Sequence, residues 1–248
     1  MLHIQYHGPV AEVRMDRPPA NALNLELLEQ LLAALETVRT EGARAIILTG
    51  RPGMFSGGLD VPALLPLDRR QIEQFWSRFF ALTRQLATSP VPVIAAVSGH
   101  APAGGAVLAL HCDLRIGAAG RFRIGLNEVQ VGLPVPSTIL VALELAVGPR
   151  RALQLATRGE LLTMEDALAA GLLDELVPPE QLLTTALERA NAWLALPPVA
   201  MNTTRLAAKA TLVRALEAPQ DAAAAASWWF SPETQAGMHQ LVTRLQKG

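Results

Sequence analysis

Two continuously apolar runs, each ending in a glycine-containing turn, constrain this chain more than any other feature. The runs are Ala45-Ile46-Ile47-Leu48-Thr49 and Pro92-Val93-Ile94-Ala95-Ala96-Val97. Runs this short and this apolar, bounded by turn residues, read as buried strands. The first leads to Phe55-Ser56-Gly57-Gly58-Leu59-Asp60, and the second to Gly99-His100-Ala101-Pro102-Ala103-Gly104-Gly105. Two turns at strand ends can each aim a free backbone N–H at the same point, an arrangement that binds an oxyanion. One isolated carboxylate follows, Glu128 in Ile124-Gly125-Leu126-Asn127-Glu128-Val129-Gln130. A carboxylate beside an oxyanion site can move a proton next to a carbonyl. Val129, Val131, Leu133 and Val135 come after Glu128, so it is expected to be partly desolvated and its pKa raised. Glycines also serve simply to permit tight turns, which would explain either turn alone. Both turns in register with Glu128 favour chemistry.

The surrounding pattern is α/β. Residues 2–7 and 10–15 alternate and are joined by Gly8-Pro9, a hairpin signal. Helical spacing covers 25–40, with Asn24 as N-cap, and 68–88. Another helix is expected to begin near Gly104, whose N–H would be an unpaired first-turn donor at the positive end of the helix dipole. Short strands are expected at 113–117, 121–124 and 173–177, and helices at 137–147, from Pro149, and from Thr163 to Ala170. Pro197-Pro198 is the clearest boundary. It separates an α/β core over 1–196 from a helical region over 197–248, interrupted near Pro219 and Pro232. Trp228, Trp229 and Phe230 are adjacent and cannot all face one side of a helix. At least one must meet a second surface, the core or a neighbouring chain.

Several function classes lose support. The net charge is −1 without a long basic run, so nucleic-acid binding has no electrostatic footprint. No apolar run reaches the ~18 residues of a membrane span. The single cysteine, Cys112, excludes an internal disulfide and suits a reducing compartment. The first residues read as a strand and not as a signal or transit peptide, so a cytoplasmic protein is expected. His100 and His111 are too scattered for a metal site. Neither Ser56 nor Ser98 sits in a G-x-S-x-G elbow, and no P-loop or dinucleotide glycine fingerprint is present.

Four segments resemble the crotonase superfamily of enoyl-CoA hydratases and isomerases. They are Arg17-Pro18-Pro19-Ala20-Asn21-Ala22-Leu23, the stretch 55–60, the stretch from Pro102 to Ile116, and 124–128. Within the superfamily the chain looks most like the mitochondrial-type Δ3,Δ2-enoyl-CoA isomerases. The resemblance implies a spiral of ββα units with a helical C-terminal region that assembles homotrimers or dimers of trimers. It implies an acyl-CoA thioester substrate, with coenzyme A part of that substrate and no separate cofactor. Catalytic roles fall on Glu128 as proton shuttle and on the N–H groups of Leu59 and Gly104 as oxyanion donors. Ala20, Ala22 and Leu23 match the segment that meets coenzyme A, and Gly57, Asp60, Val107 and Asn127 complete the substrate-facing set. Asp60 is expected to hold its loop. Asn127 either orients Glu128 or caps the local backbone. Arg17 and Arg51 are candidates for the coenzyme A phosphates. Hydratases of the superfamily carry a second glutamate where this chain has Val107, so water activation lacks a partner and a one-carboxylate shuttle does not. The expected reaction is transfer of a double bond from position 3 to position 2 of an enoyl-CoA. The alternatives are an enoyl-CoA hydratase and a catalytically silent acyl-CoA binder.

Overall fold

The structure is a computed structural model that describes residues 1–218 and 222–245; the expected break at Pro219 lies outside the described residues. The main sheet contains β1 (Leu2–His7), β2 (Val10–Met15), β3 (Ala45–Thr49), β5 (Val93–Val97), β7 (Leu114–Ala118) and β10 (Glu175–Val177), in that spatial order. A second sheet holds the short strands β4 (Gly53–Met54), β6 (Gly99–Pro102), β8 (Arg123–Gly125) and β9 (Leu162–Thr163). Among the described strand pairs, β1–β2 and β8–β9 are antiparallel and the others parallel.

Burial on both faces explains the apolar runs. Along β3, Ile46 and Leu48 join the main core, while Ala45 and Ile47 join a second cluster on the opposite face. In β5, Val93, Ala95 and Val97 face one way and Ile94 and Ala96 the other. Helix α8 (Leu182–Leu194) covers the second face through Leu182, Ala186 and Ala190. The main core is covered by α1 (Leu25–Thr40), α3 (Arg69–Ala87) and α4 (Gly104–Leu110). A parallel sheet sandwiched in this way needs apolar residues at every position, not alternate ones.

Helix starts follow local chemistry. Asn24 Oδ1 accepts from the Leu27 N–H at 2.9 Å and caps α1. Asp68 and Gln71 form a reciprocal capping box on α3. Pro149 opens α6 (Pro149–Arg158) after α5 (Ser137–Val147), and Thr163 caps α7 (Met164–Ala170). Three times a main-sheet strand passes into a short second-sheet strand and then a helical turn: β3–β4–α2 (Val61–Leu64), β5–β6–α4, and β7–β8 into a 3-10 turn at Glu128–Val131. This ββα spiral puts the ends of three successive units side by side.

The C-terminal helices are α9 (Pro198–Ala208), α10 (Ala210–Glu217), α11 (Ala222–Trp229) and α12 (Pro232–Leu245). Leu212, Leu216, Ala226, Trp229 and Met238 from α10–α12 join the main core, whereas no apolar residue of α9 is buried. Trp229 is fully buried, Trp228 is 55% exposed, and Phe230 packs partly buried with the Arg69 guanidinium over its ring at 5.2 Å. The helical region is interrupted between Trp229 and Pro232, and Pro232 opens α12. Asp113 fastens this region to the sheet: its carboxylate accepts from the Val93 N–H, Arg205 and Lys209, all inside the protein. Among the described residues no helix is long and apolar enough to cross a membrane.

Candidate active site

The first glycine turn is held by the segment before α1. Gly57 N–H donates to Ala20 O (2.7 Å), Leu23 N–H to Gly58 O (2.7 Å), and Asp60 N–H to Leu23 O (2.9 Å). In this pairing the Leu59 N–H is the one left over, because parallel bridging uses the groups on either side of it. Asn21 locks the arrangement from inside. It is fully buried at φ 48°, a conformation asparagine tolerates better than most residues. Its amide donates to the carbonyls of Met15, Met54 and Phe55, and its oxygen accepts from the Arg17 N–H. Asp60 accepts from the Ala63 N–H at the start of α2 and pairs with Arg17 at 2.7 Å. It holds the loop.

The second turn meets the first across two glycines. Ala103, between β6 and α4, adopts φ 47°, ψ −119°, a strained conformation for a residue with a side chain. A Cβ on Gly58 would lie 3.2 Å from Gly104 N and 3.1 Å from Ala103 Cβ, and one on Gly104 would lie 3.3 Å from Gly58 Cα. The Gly104 N–H therefore sits at the seam beside the peptide that leads to Leu59. Neither the Leu59 nor the Gly104 N–H finds an acceptor among the described residues.

Glu128 arrives from the third unit. Gly125 ends β8 at φ 152°, where a Cβ would stand 2.4 Å from Glu160 O, and the chain turns through Leu126 and Asn127 into the 3-10 turn. Glu128 is only 8% exposed, and its Oε2 has no hydrogen-bond partner. Burial pushes its carboxyl up from 4.5 to about 7, opposed weakly by its own backbone N–H. Glu128 lines a cavity of about 440 Å³ together with Gly57, Leu59, Pro102, Ala103, Asn127 and the apolar side chains of Val61, Val131, Leu133 and Leu161. Helix α12 closes it with Met238, Leu241, Arg244 and Leu245. A cleft of about 490 Å³ between α8 and α9 contains no carboxylate among its lining residues.

Of the residues singled out in the sequence, Gly57, Leu59, Asn127 and Glu128 line this cavity. Gly104 borders it through Gly58 and Ala103, and Ala20, Leu23 and Asp60 bond or bridge to the first turn from behind. Ala22 accepts from Arg17. Val107 is fully buried in the main core and does not line the cavity. Asn127 makes no capping bond, and its buried Oδ1 is unpartnered like Glu128 Oε2. Of the two phosphate candidates, Arg17 pairs with Asp60 and donates to Ala22 O, and the more exposed Arg51 pairs with Asp16 at 3.2 Å. Sequence reasoning expected a helix here but missed the part α12 plays in walling the cavity. Its apolar Met238 and Leu241 and the cation Arg244 had no local motif, only helical spacing far from the glycine turns.

Residues 5–246 match the enoyl-CoA hydratase/isomerase family. The chain belongs to that family. The human mitochondrial enoyl-CoA delta isomerase 1 is 37% identical over 209 residues, 83% of this chain and 69% of the human one. The mouse protein of the same name is 31% identical over 253 residues, covering 98% and 87%. The crystal structure of the human mitochondrial delta3-delta2-enoyl-CoA isomerase superposes with a TM-score of 0.94 at 32% identity, covering 99% of this chain and 98% of that one. These relatives also correct the cytoplasmic expectation, because the human and mouse members of the family are mitochondrial by name. Bacterial proteins match as well. The physical reason is that a compartment address is read from segments outside the packed domain. A strand at 2–7 and one buried cysteine carry no such information.

Proposed function

We propose that this chain is a Δ3,Δ2-enoyl-CoA isomerase, moving the double bond of a 3-enoyl-CoA thioester to give the 2-trans-enoyl-CoA. The observation that carries the reading is a single buried carboxylate, titrating at about 7, on the wall of an otherwise apolar cavity. Such a group is balanced between proton acceptor and donor near neutral pH. Glu128 removes a proton from C2. The electron pair shifts into the thioester, and negative charge collects on its oxygen between the N–H groups of Leu59 and Gly104. The same carboxyl then delivers the proton to C4 as the double bond settles between C2 and C3. One proton leaves and one returns, so no other reactant is consumed. Val107, at the position where hydratases of the family place a second glutamate, supplies no partner for activating water. Coenzyme A enters as part of the substrate.

Assembly follows the same reading: a homotrimer or a dimer of trimers, with α9 among the elements that a neighbour covers. Its Val199 is 80% exposed, and Leu196 just before it is 49% exposed. Apolar surface of this kind is usually covered by another chain.

Ultraviolet spectroscopy with a panel of 3-enoyl-CoA and 2-enoyl-CoA esters tests the function. Isomerisation creates a conjugated enoyl thioester, hydration destroys one, and a silent binder does neither. A crystal structure with acyl-CoA tests the site, and a thioester oxygen away from the Leu59 and Gly104 N–H groups would reject it.

A further inference from the structure

The turn that carries Glu128 is attached to α12 by more than apolar packing. Ser231, just before α12, accepts from the Thr234 N–H at 3.3 Å and so caps the helix. Its hydroxyl donates to the Thr234 hydroxyl at 2.9 Å, and Thr234 in turn donates to the carbonyl of Gly132 at 2.6 Å. Gly132 ends the 3-10 turn at φ 73°. The hydroxyl relay thus joins the start of one element to the end of the other, and Thr234 is fully buried.

Two glycines set the distance. A Cβ on Gly237, within α12, would stand 2.5 Å from Val131 O and 2.8 Å from Val131 Cα. A Cβ on Gly132 would stand 3.1 Å from both the backbone carbonyl carbon of Glu233 and the Thr234 nitrogen. Each element lacks a side chain where the other's backbone comes closest. The turn itself is closed by the Leu133 N–H donating to Glu128 O at 3.1 Å, so moving Gly132 moves the backbone of Glu128. Helix α12 also touches α2, the helix immediately after Leu59 and Asp60. One helix therefore contacts both halves of the site and walls the cavity between them with Met238 and Leu241.

We infer that Thr234 and Gly237 are positioning residues for Glu128: they clamp α12 onto the 3-10 turn and hold the carboxyl at a fixed depth in the cavity that the same helix closes. The inference rests on the isomerase reading for the role of Glu128. Positioning of this kind is energetically consequential because a displacement of about 1 Å far from the chemistry can cost on the order of 10²-fold in rate. It also keeps water from the carboxyl, in keeping with the burial that raises Glu128 to about 7. Of the charged and titratable groups, Arg244 on α12 lines the cavity, Glu233 on α12 packs against Gly132, His239 on α12 is exposed, and Glu160, exposed just after α6, has its carbonyl against Gly125. None of them pairs with Glu128, whose Oε2 is unpartnered.

The test compares the full-length wild-type protein with Thr234→Val, Thr234→Ser and Gly237→Ala. Turnover of a 3-enoyl-CoA ester is measured alongside the titration of the Glu128 carboxyl by carbon NMR, with its signal assigned by Glu128→Gln. Thr234→Val keeps the shape and deletes the relay; Gly237→Ala forces the elements apart. Both are expected to lower kcat by roughly 10-fold or more with KM changed by less than about threefold, on the effect of small misplacements. Both are also expected to move the Glu128 titration down from about 7 toward 4.5 as water reaches it. Thr234→Ser, which keeps the hydroxyl, should restore both. A folded Thr234→Val protein with wild-type kcat and an unmoved titration overturns the inference, and it decides alone if Gly237→Ala fails to fold. If the wild type turns over no 3-enoyl-CoA, the functional reading fails, and the carboxyl titration still decides the clamp.

Discussion

Glu128 shows how one residue can serve chemistry at the expense of stability. Its carboxyl is pushed up to about 7 because burial disfavours the charged form, and its Oε2 has no hydrogen-bond partner among the described residues. The isomerisation starts from the carboxylate, so kcat/KM is expected to rise with pH and reach half its plateau near about 7; a plateau already complete at pH 5 would contradict the assignment. Glu128→Gln keeps the shape and removes the base, and should lower turnover by roughly 10²–10⁴-fold. The same substitution has a second consequence with a defined sign. Between pH 4.5 and about 7 the unfolded chain has lost this proton and the folded protein keeps it, so the stability of the wild type falls as pH rises through that window. One pKa unit corresponds to about 1.4 kcal/mol, which makes the loss roughly 3 kcal/mol. Urea unfolding should therefore show Glu128→Gln gaining on the wild type from pH 5 to pH 8. A gap independent of pH would mean that Glu128 is hydrated.

Among elements, the contact between the two glycine turns matters most, since it joins units far apart in sequence. At Gly105 a Cβ would stand 2.4 Å from Ser56 O, which is backbone and cannot swing aside. Gly105→Ala must push α4 away from the first turn and separate the Leu59 and Gly104 N–H groups. The expected cost is about 1–3 kcal/mol of stability, as for overpacking in general, with a fall in kcat of roughly 10²–10³-fold if one donor is lost. Denaturant midpoints and steady-state kinetics measure the two effects separately. Wild-type values in both would show that the seam can relax. Much of this level was legible in advance: the helix starts at Asn24 and Thr163 and the buried strands β3 and β5 follow from local residue chemistry. The short strand expected at 121–124 instead covers Arg123–Gly125, because pairing with β6 draws Gly125 in.

At the scale of the whole molecule, the C-terminal helices are tied to the sheet by a buried charge cluster as well as by apolar contact. Asp113 is 3% exposed and pairs with Arg205 and Lys209, themselves 8% and 9% exposed. Asp113→Ala leaves two buried cations without their partner, a change that typically costs about 3–5 kcal/mol. Thermal unfolding would reveal it, and an unchanged midpoint would show that water already reaches the cluster. Assembly belongs to this scale too. Light scattering at micromolar concentration should give a mass of three or six chains of 26.5 kDa. A stable, fully active monomer would end the trimer proposal and leave exposed Val199 and Trp228 without a covering surface.

The residues by themselves determined the strands, the helix starts, the two glycine turns and the singular carboxylate, because each is written in a short stretch of neighbouring residues. The family resemblance, not local residue chemistry, marks Val107 as standing where hydratases carry a second glutamate. The depth of Glu128, the unpaired Leu59 and Gly104 N–H groups at one seam, and the closure of the cavity by α12 were decided only in three dimensions. Each depends on backbones meeting across tens of residues: Gly58 against Gly104, Leu23 against Leu59, Gly237 against Val131. A glycine in sequence records that some backbone comes close, and the fold alone says which one.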